Sequence, residues 1–324
     1  MEQGESPFSE GGSLRICLIY PNSYAVGAVN LGFATLFRML NDCEQITAER
    51  AFALEGPSLT GTKATQLSEP RSIETLRSLN EFAIIAFSFM SEFDYLNAVD
   101  MLKAAGIPWQ KSERDELEKR GQQLPLILAG GAAPTLNPLP LVEMAEIIIQ
   151  GEWEDSGPLI SQMMVDGWER CGKSGIIEAL SGFGDGSGKE FSEPGLTGIS
   201  DCHACPVPDT AVSMGYDGKE RAIFIEETLL LSTKPATMPM AWLDLVSDET
   251  VFAGMGLVEG TRGCPFTCRF CSARRLYHPF RVVSVDSIME YVERIKPYCN
   301  RIGLVGAGIS AHPRLCEILR KIRE

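Results

Sequence analysis

Long apolar runs are missing from this 324-residue chain. No stretch approaches the roughly 18 consecutive apolar residues of a membrane span, so no membrane partner is expected. The opening MEQGESPFSEGGS is polar and acidic, without the basic start and apolar centre of a signal peptide, and a cytoplasmic protein is the expectation. Positive charge is also short. Lys and Arg number 29 against 43 Asp and Glu, a net charge of −14. Such a surface repels a phosphate backbone and excludes a nucleic-acid-coating role. Histidine is scarcer still: there are three, and residues 1–202 contain none. With 31 glycines and 19 prolines the chain is neither collagen-like nor of low complexity. No internal repeat of solenoid period is present. The 44% hydrophobic content is ample for buried cores, and the length suits two domains. Cysteine, by contrast, is plentiful, with ten residues. In a cytoplasmic chain of this size they point to a metal or redox site rather than to disulfides.

The first half alternates between short apolar runs and helical spacing. Leu14–Tyr20, Phe82–Phe87, Leu124–Ala129 and Ile147–Gln150 read as buried strands. Phe33, Leu36, Phe37 and Leu40 recur at helical intervals, and 93–105 forms a second helix stopped by Gly106-Ile107-Pro108. Continuously apolar strands separated by helices describe an α/β, doubly wound parallel sheet covered on both faces. Ligands of such sheets bind outside the carboxyl ends of the strands. Those ends carry Pro21-Asn22-Ser23, Ser88 to Ser91, Gly130-Gly131-Ala132 and Gly151-Glu152. Their glycines either let a flat ligand approach the backbone or simply end the strands.

The middle is less regular. Residues 181–198 are rich in Gly and Ser and read as a linker. Ala211–Tyr216 and Arg221–Ile225 flank Asp217-Gly218, a hairpin signal.

The strongest signal is Cys264-Pro-Phe-Thr-Cys268-Arg-Phe-Cys271. Three thiolates on one tight loop can each bind one iron of a cubane cluster and leave the fourth iron open. Electron-transfer clusters and structural zinc sites usually take four protein ligands. The next cysteine is Cys299, beyond a helical stretch. A zinc or plain electron-transfer site is the alternative.

These cysteines, with Phe270 before the last, resemble the signature of the radical S-adenosylmethionine (SAM) superfamily. The resemblance extends to Leu304-Val-Gly306-Ala307-Gly308, where members hold the methionine moiety of SAM, and to the helix 287–296. It implies the start of a radical SAM (β/α) partial barrel and a 4Fe–4S cluster on Cys264, Cys268 and Cys271. Phe270, Gly306, Ala307 and Gly308 would contact SAM. It also implies a ferredoxin or flavodoxin as electron donor, and reductive cleavage of SAM to a 5′-deoxyadenosyl radical acting on an unknown substrate. Residues 128–154 (LAGGAAPTLNPLPLVEMAEIIIQGEWE) resemble the GG-x-x-x-T and GE-x-E stretch of cobalamin-binding domains fused to radical enzymes. That likeness implies cobalamin near Asn22, Ser23, Ser88, Gly130, Gly131, Thr135 and Glu152, without a histidine on cobalt, and methyl transfer as one outcome. A non-catalytic iron–sulfur or cobalamin-binding module is the alternative function.

The organisation expected is a disordered tail (1–13), a cobalamin-binding-like domain (14–175), a linker with small β elements (176–250) and the first part of a barrel (251–324). A six-unit barrel would need about 180 residues after Leu257 at about 30 residues per unit, so a truncated barrel is expected.

Other motifs have blander readings. Gly167-Trp-Glu-Arg-Cys-Gly172-Lys173-Ser174 fits the phosphate-loop pattern, yet a helical stretch precedes it instead of the required strand. A polar turn between helices is expected there. Cys202 and Cys205 stand alone, as a reduced pair. Cys17 and Cys43 read as small core fillers, His278 and His312 as structural, and 113–120 (ERDELEKR) as a solvated helical face.

Overall fold

The computed structural model describes residues 2–53, 69–183, 189–190, 220–225, 227–237 and 240–323. The hairpin strand 211–216, Cys202, Cys205 and His203 lie outside the described residues.

Seven strands of at least four residues build the main sheet. They are β1 (Leu14–Tyr20), β2 (Ile46–Phe52), β3 (Ile84–Ser88), β4 (Leu126–Gly130), β5 (Ile147–Gln150), β6 (Arg221–Ile225) and β7 (Thr228–Ser232), all in the main sheet. Their order is β2-β1-β3-β4-β5-β7-β6, with the short strand Lys189–Glu190 beside β6. All neighbours from β2 to β7 are parallel, and only β6 runs antiparallel to β7. This is a doubly wound sheet whose strand order reverses between β1 and β3, the kind of crevice in which open α/β sheets bind ligands. Its two faces carry separate cores. Leu14, Ile16 and Leu18 lie in one, and Cys17, Ile19 and Ile85 in the other. Alternate residues therefore point to opposite layers, as strand geometry requires.

All four expected strands are present, two with the expected bounds and two shifted along the chain, from Phe82–Phe87 to Ile84–Ser88 and from Leu124–Ala129 to Leu126–Gly130. The strand β2 was not expected from its sequence, ITAERAF, because Glu49 and Arg50 interrupt the apolar pattern. Both are buried, and partners neutralise them. Arg50 Nε donates to Glu74 at 2.7 Å and Arg50 Nη2 to Glu2 at 2.7 Å. Glu49 accepts from the Thr75 hydroxyl at 2.5 Å and pairs with the Arg77 guanidinium at 3.3 Å. The stretch 1–13 also departs from a disordered tail. Gln3–Gly4 pairs with Leu245–Val246, and the Glu2 carboxylate that holds Arg50 fastens the chain start to β2. The hairpin partner of β6 is β7, whose fully buried TLLLS also pairs with β5. The main sheet thus continues well past residue 175.

The helices α1 (Leu31–Asn41), α2 (Asp94–Ala104), α3 (Lys111–Lys119), α4 (Ala132–Leu136) and α5 (Gly157–Ser181) connect and cover these strands. Asn30 caps α1 by accepting from Phe33 N at 2.9 Å, satisfying a donor that the first turn leaves free. The charged α3 is more than a solvated face. Arg114 is fully buried and donates to Glu146 and to the carbonyls of Pro108, Trp109 and Met144. The phosphate-loop match falls, as expected, at a turn between two helical segments of α5, where Cys171 and Gly172 leave helical geometry. Gly167 and Gly175 let the two halves touch, since a Cβ on either would strike the other's backbone.

Residues 255–323 form a second unit. Here β8 (Met255–Glu259) pairs in parallel with β11 (Arg301–Val305). Between them, β9 (Thr261–Arg262) and β10 (Arg281–Val282) make a short antiparallel ribbon. The helix α7 (Val285–Ile295) follows the single turn α6 (Ala273–Leu276), and α8 (Leu315–Arg323) ends the described chain. Ser284 caps α7 by accepting from Ser287 N at 3.1 Å. Its Ile288, Tyr291, Val292 and Ile295 pack with Val258 in a third core. No helix among the described residues is long and apolar enough to cross a membrane.

Candidate functional site

The cysteine loop, residues 263–280, springs from the β9–β10 ribbon. Gly263 opens it with φ near +75°, a conformation that favours glycine. A Cβ there would also run into the Tyr277 carbonyl. Cys264 is half-buried, Cys268 and Cys271 are exposed, and all three thiols are free. Phe270 is 94% exposed, so it is available to a ligand rather than used in packing. Among the described residues, no three His, Cys, Asp or Glu side chains stand close enough together to hold a metal ion. The donor chemistry nonetheless fits an iron–sulfur cluster, which takes thiolates. The loop must draw its three sulfurs together to form one.

Two arginines anchor the base of this loop to the main sheet. Arg262, in β9, donates to Glu152 at 2.9 Å, Glu154 at 2.5 Å and Glu259 at 2.7 Å. Arg281, opposite it in β10, donates to Glu152 at 2.8 Å through Nη1 and pairs again through Nη2. The Ala236 N–H adds a further bond to Glu152 at 2.8 Å. Burial alone would raise the pKa of Glu152. The Arg281 hydrogen bonds, the Arg262 charge and the Ala236 N–H outweigh it and hold the carboxyl below its usual range.

A cleft of about 460 Å³ lies beside this network, a size typical of small-molecule sites. The ends of β3, β4 and β5 supply Ser88, Gly130, Gly131, Thr135 and Glu152 to its wall, and the end of β11 supplies Gly306 and Ala307. Part of each expected residue set thus lines one space. Asn22, Ser23, Gly308, Phe270 and the three cysteines do not line it, though Gly263, next to Cys264, does.

Several polar groups expected to meet cobalamin are already committed. Asn22 Nδ2 donates to Asp94 at 3.3 Å, while its Oδ1 accepts from Ser23 N at 2.8 Å. Thr135 Oγ1 donates to the Gly131 carbonyl at 2.7 Å and accepts from Gly151 N at 3.0 Å. Glu152 is held by two arginines. What remains open to a flat ligand is backbone at Gly130 and Gly131, with Ser88 beside it.

The other candidates settle elsewhere. Lys173 Nζ donates to Glu118 at 2.8 Å and Glu146 at 3.2 Å, so its charge is taken up by carboxylates. His312 is buried, with Nε2 at 2.9 Å from the Val283 carbonyl. Cys17 is fully buried, and burial, with Glu74 and Glu49 nearby, pushes its thiol well up. The Glu152–Arg262–Arg281 lock was missed as such, although the GE-x-E stretch had already singled out Glu152.

Comparison with known proteins matches residues 32–183 to the family model "Radical SAM proteins, N-terminal" and residues 258–324 to "Radical SAM superfamily". Together they support a radical SAM protein. The chain is also similar to "Uncharacterized protein MJ0966" of Methanocaldococcus jannaschii, at 21% identity over 305 residues. That alignment covers 94% of this chain and 51% of the relative, so the chain spans about half of that relative's length.

Proposed function

We propose, for a chain that matches both the N-terminal and the core segments of radical SAM proteins, a radical SAM enzyme whose Cys264, Cys268 and Cys271 hold a 4Fe–4S cluster. The observation that carries this reading is the position of the loop. The loop carrying the three free thiols follows β9, and its entry packs against the end of β11, where a Cβ on Gly308 would meet Pro265 at 3.0 Å and the Gly263 carbonyl at 3.3 Å. When bound, the cluster and SAM supply one-electron bond cleavage and hydrogen abstraction from an unactivated position. The chain's own contribution is placement. Three thiolates leave one iron open for a ligand, and the Gly306 and Ala307 backbone can approach closely because no bulky side chain intervenes. The wall between them carries Glu152, Glu154 and Glu259 against Arg262, with Arg281 on Glu152, so one carboxylate is in excess. That acidic excess suits the sulfonium cation of SAM. An external donor, of ferredoxin or flavodoxin type, supplies the electron.

Anaerobic reconstitution tests the assignment. The protein should take up four irons' worth of cluster with a brown charge-transfer absorption, and replacing all three cysteines by Ala should abolish both iron and sulfide. Undiminished iron in that variant overturns it. A double Cys202→Ala, Cys205→Ala variant should keep its cluster. Production of 5′-deoxyadenosine under reducing conditions separates an enzyme from a non-catalytic iron–sulfur module.

A cobalamin cofactor is the narrower part of the proposal, and the strand order at the β1–β3 crevice favours it. The committed side chains at Asn22, Thr135 and Glu152 count against direct contacts from them. Because residues 1–202 contain no histidine, cobalt would bind without an imidazole from this domain. Electron paramagnetic resonance of the cobalt(II) form tests this: nitrogen superhyperfine splitting from a protein side chain refutes it.

A further inference from the structure

The interior of the cleft has a character that the cluster and SAM do not explain. It runs inward from the strand ends, between α1, the sheet and β8, along residues such as Leu18, Leu36, Ala86, Leu128 and Leu257. The hollow has a cause in the sheet register. Ala86 faces its lateral neighbours Leu18 and Leu128, and Ser88 pairs with Gly130, which pairs with Ile149. Thus Ala86, Ser88 and Gly130 place three small residues together on two adjoining strands. On one face of a strand, side chains at alternate positions are what fill the space above the sheet. Here little projects, and α1 spans the gap.

Three walls of this apolar space carry buried polar atoms with no protein partner. They are Thr35 Oγ1 on α1, Trp153 Nε1 just after β5 and Thr261 Oγ1 on β9. Thr35 and Thr261 are 3% and 1% exposed. Buried polar groups are nearly always hydrogen-bonded, so each such atom calls for an explanation. An indole N–H can only donate and a hydroxyl can donate, so an occupant bearing acceptors matches the donors set in these walls. The charged groups of the wall, by contrast, are already paired with one another, and carboxylates outnumber guanidinium. An anion entering here would lose hydration without gaining a free cation.

We infer that this hollow binds an uncharged, largely apolar small molecule that carries hydrogen-bond acceptors of the carbonyl type. Calling that molecule the substrate rests on the proposed function, because the cleft opens at Gly263, Gly306 and Ala307. Its binding does not depend on a cluster.

The test uses the full chain without iron or SAM, and the neutral ketone 6-propionyl-2-(dimethylamino)naphthalene as a fluorescent probe. One saturable site per chain with blue-shifted emission is expected. Gly130→Leu should weaken binding at least about tenfold by filling the hollow. The backbone there tolerates a side chain, since an added Cβ would make only ordinary contacts with Ile149, at 3.5 Å to its carbonyl and 3.9 Å to its Cβ. Thr35→Val, a same-shape change that spares the fold if Gly130→Leu does not, should weaken it roughly threefold to tenfold by removing one hydrogen bond. A naphthalene carboxylate of similar size should bind at least about tenfold more weakly. Absence of a saturable site, unchanged affinity in folded Gly130→Leu and Thr35→Val, or equal affinity for the carboxylate would each overturn the inference. The Cys264/Cys268/Cys271→Ala variant should bind the probe normally. Loss of cluster chemistry and loss of this site are therefore read separately.

Discussion

Removing the Glu152 carboxylate should loosen the cysteine loop from the sheet and cost more stability than any surface charge would. Glu152 is 7% exposed and receives Arg262, Arg281 and the Ala236 N–H. Glu152→Ala leaves Arg281 with only carbonyl partners, at Ala236 and Pro279 among others. Breaking a buried pair by deleting one member costs about 3–5 kcal/mol, because the other charge stays buried without compensation. Arg262 keeps Glu154 and Glu259, so the penalty falls on Arg281 alone. At the shallow end of 2–4 °C per kcal/mol for larger domains, the melting temperature should fall by about 6–10 °C. The acid limb gives a second reading. The folded carboxyl has a pKa below its ordinary 4.5, so the folded state binds fewer protons than the unfolded chain around that pH. Its contribution is complete above the unfolded pKa and is lost as pH falls through the folded one. Glu152→Gln should therefore flatten the stability profile below about pH 4.5 relative to the native chain. Differential scanning calorimetry across that range measures both effects. A Glu152→Ala melting temperature within about 1 °C of native, a shift worth well under 1 kcal/mol, would refute the lock.

Arg114→Ala should destabilise by about 3–5 kcal/mol, since it strips a fully buried Glu146 partner and three carbonyl contacts; urea unfolding checks it. Lys173→Ala should leave calorimetric ATP titrations as flat as those of the native chain, and it should cost about 1 kcal/mol because its ion pairs are partly solvated. Micromolar ATP binding that disappears in the variant would reverse that reading. Gly263→Ala should depress iron uptake on reconstitution while the main sheet's circular dichroism stays native, because the loop entry needs φ near +75°.

The main sheet was legible where burial shows as unbroken apolar sequence. Leu14–Tyr20 and Ile147–Gln150 have their expected bounds because parallel strands covered on both faces have no reason to alternate. Its order could be anticipated only as a class, since register depends on pairings between distant segments. The strand Ile46–Phe52 was hidden by the same rule. Its Glu49 and Arg50 break the apolar run; Glu2 and Glu74, which neutralise Arg50, stand 48 and 24 residues away, and Glu49 is paired by Arg77. A charge inside a strand is silent about burial until its partner is placed. The chain start shows the reverse: a polar, acidic dozen residues looked unstructured, yet one of its carboxylates supplies half of the Arg50 cage.

The candidate site divides along the same line. The cysteine loop was readable because its chemistry is local: three thiols within eight residues need no distant element to declare themselves. The cleft was half readable. Glycines at strand ends and at Gly306 pointed to open backbone, but the hollow arises from Ala86, Ser88 and Gly130 meeting across strands, and no single segment contains it. Glu152 is the instructive residue. A carboxylate just past a strand end can contact a ligand or lock a neighbouring element, and nothing within Gly151–Glu154 distinguishes the two. The deciding groups, Arg262 and Arg281, lie 110 and 129 residues further on and frame the cysteine loop on both sides. Once both guanidinium groups converge on it, the carboxylate is saturated. Its role then passes from meeting a ligand to holding the loop over the cleft in which a ligand would sit.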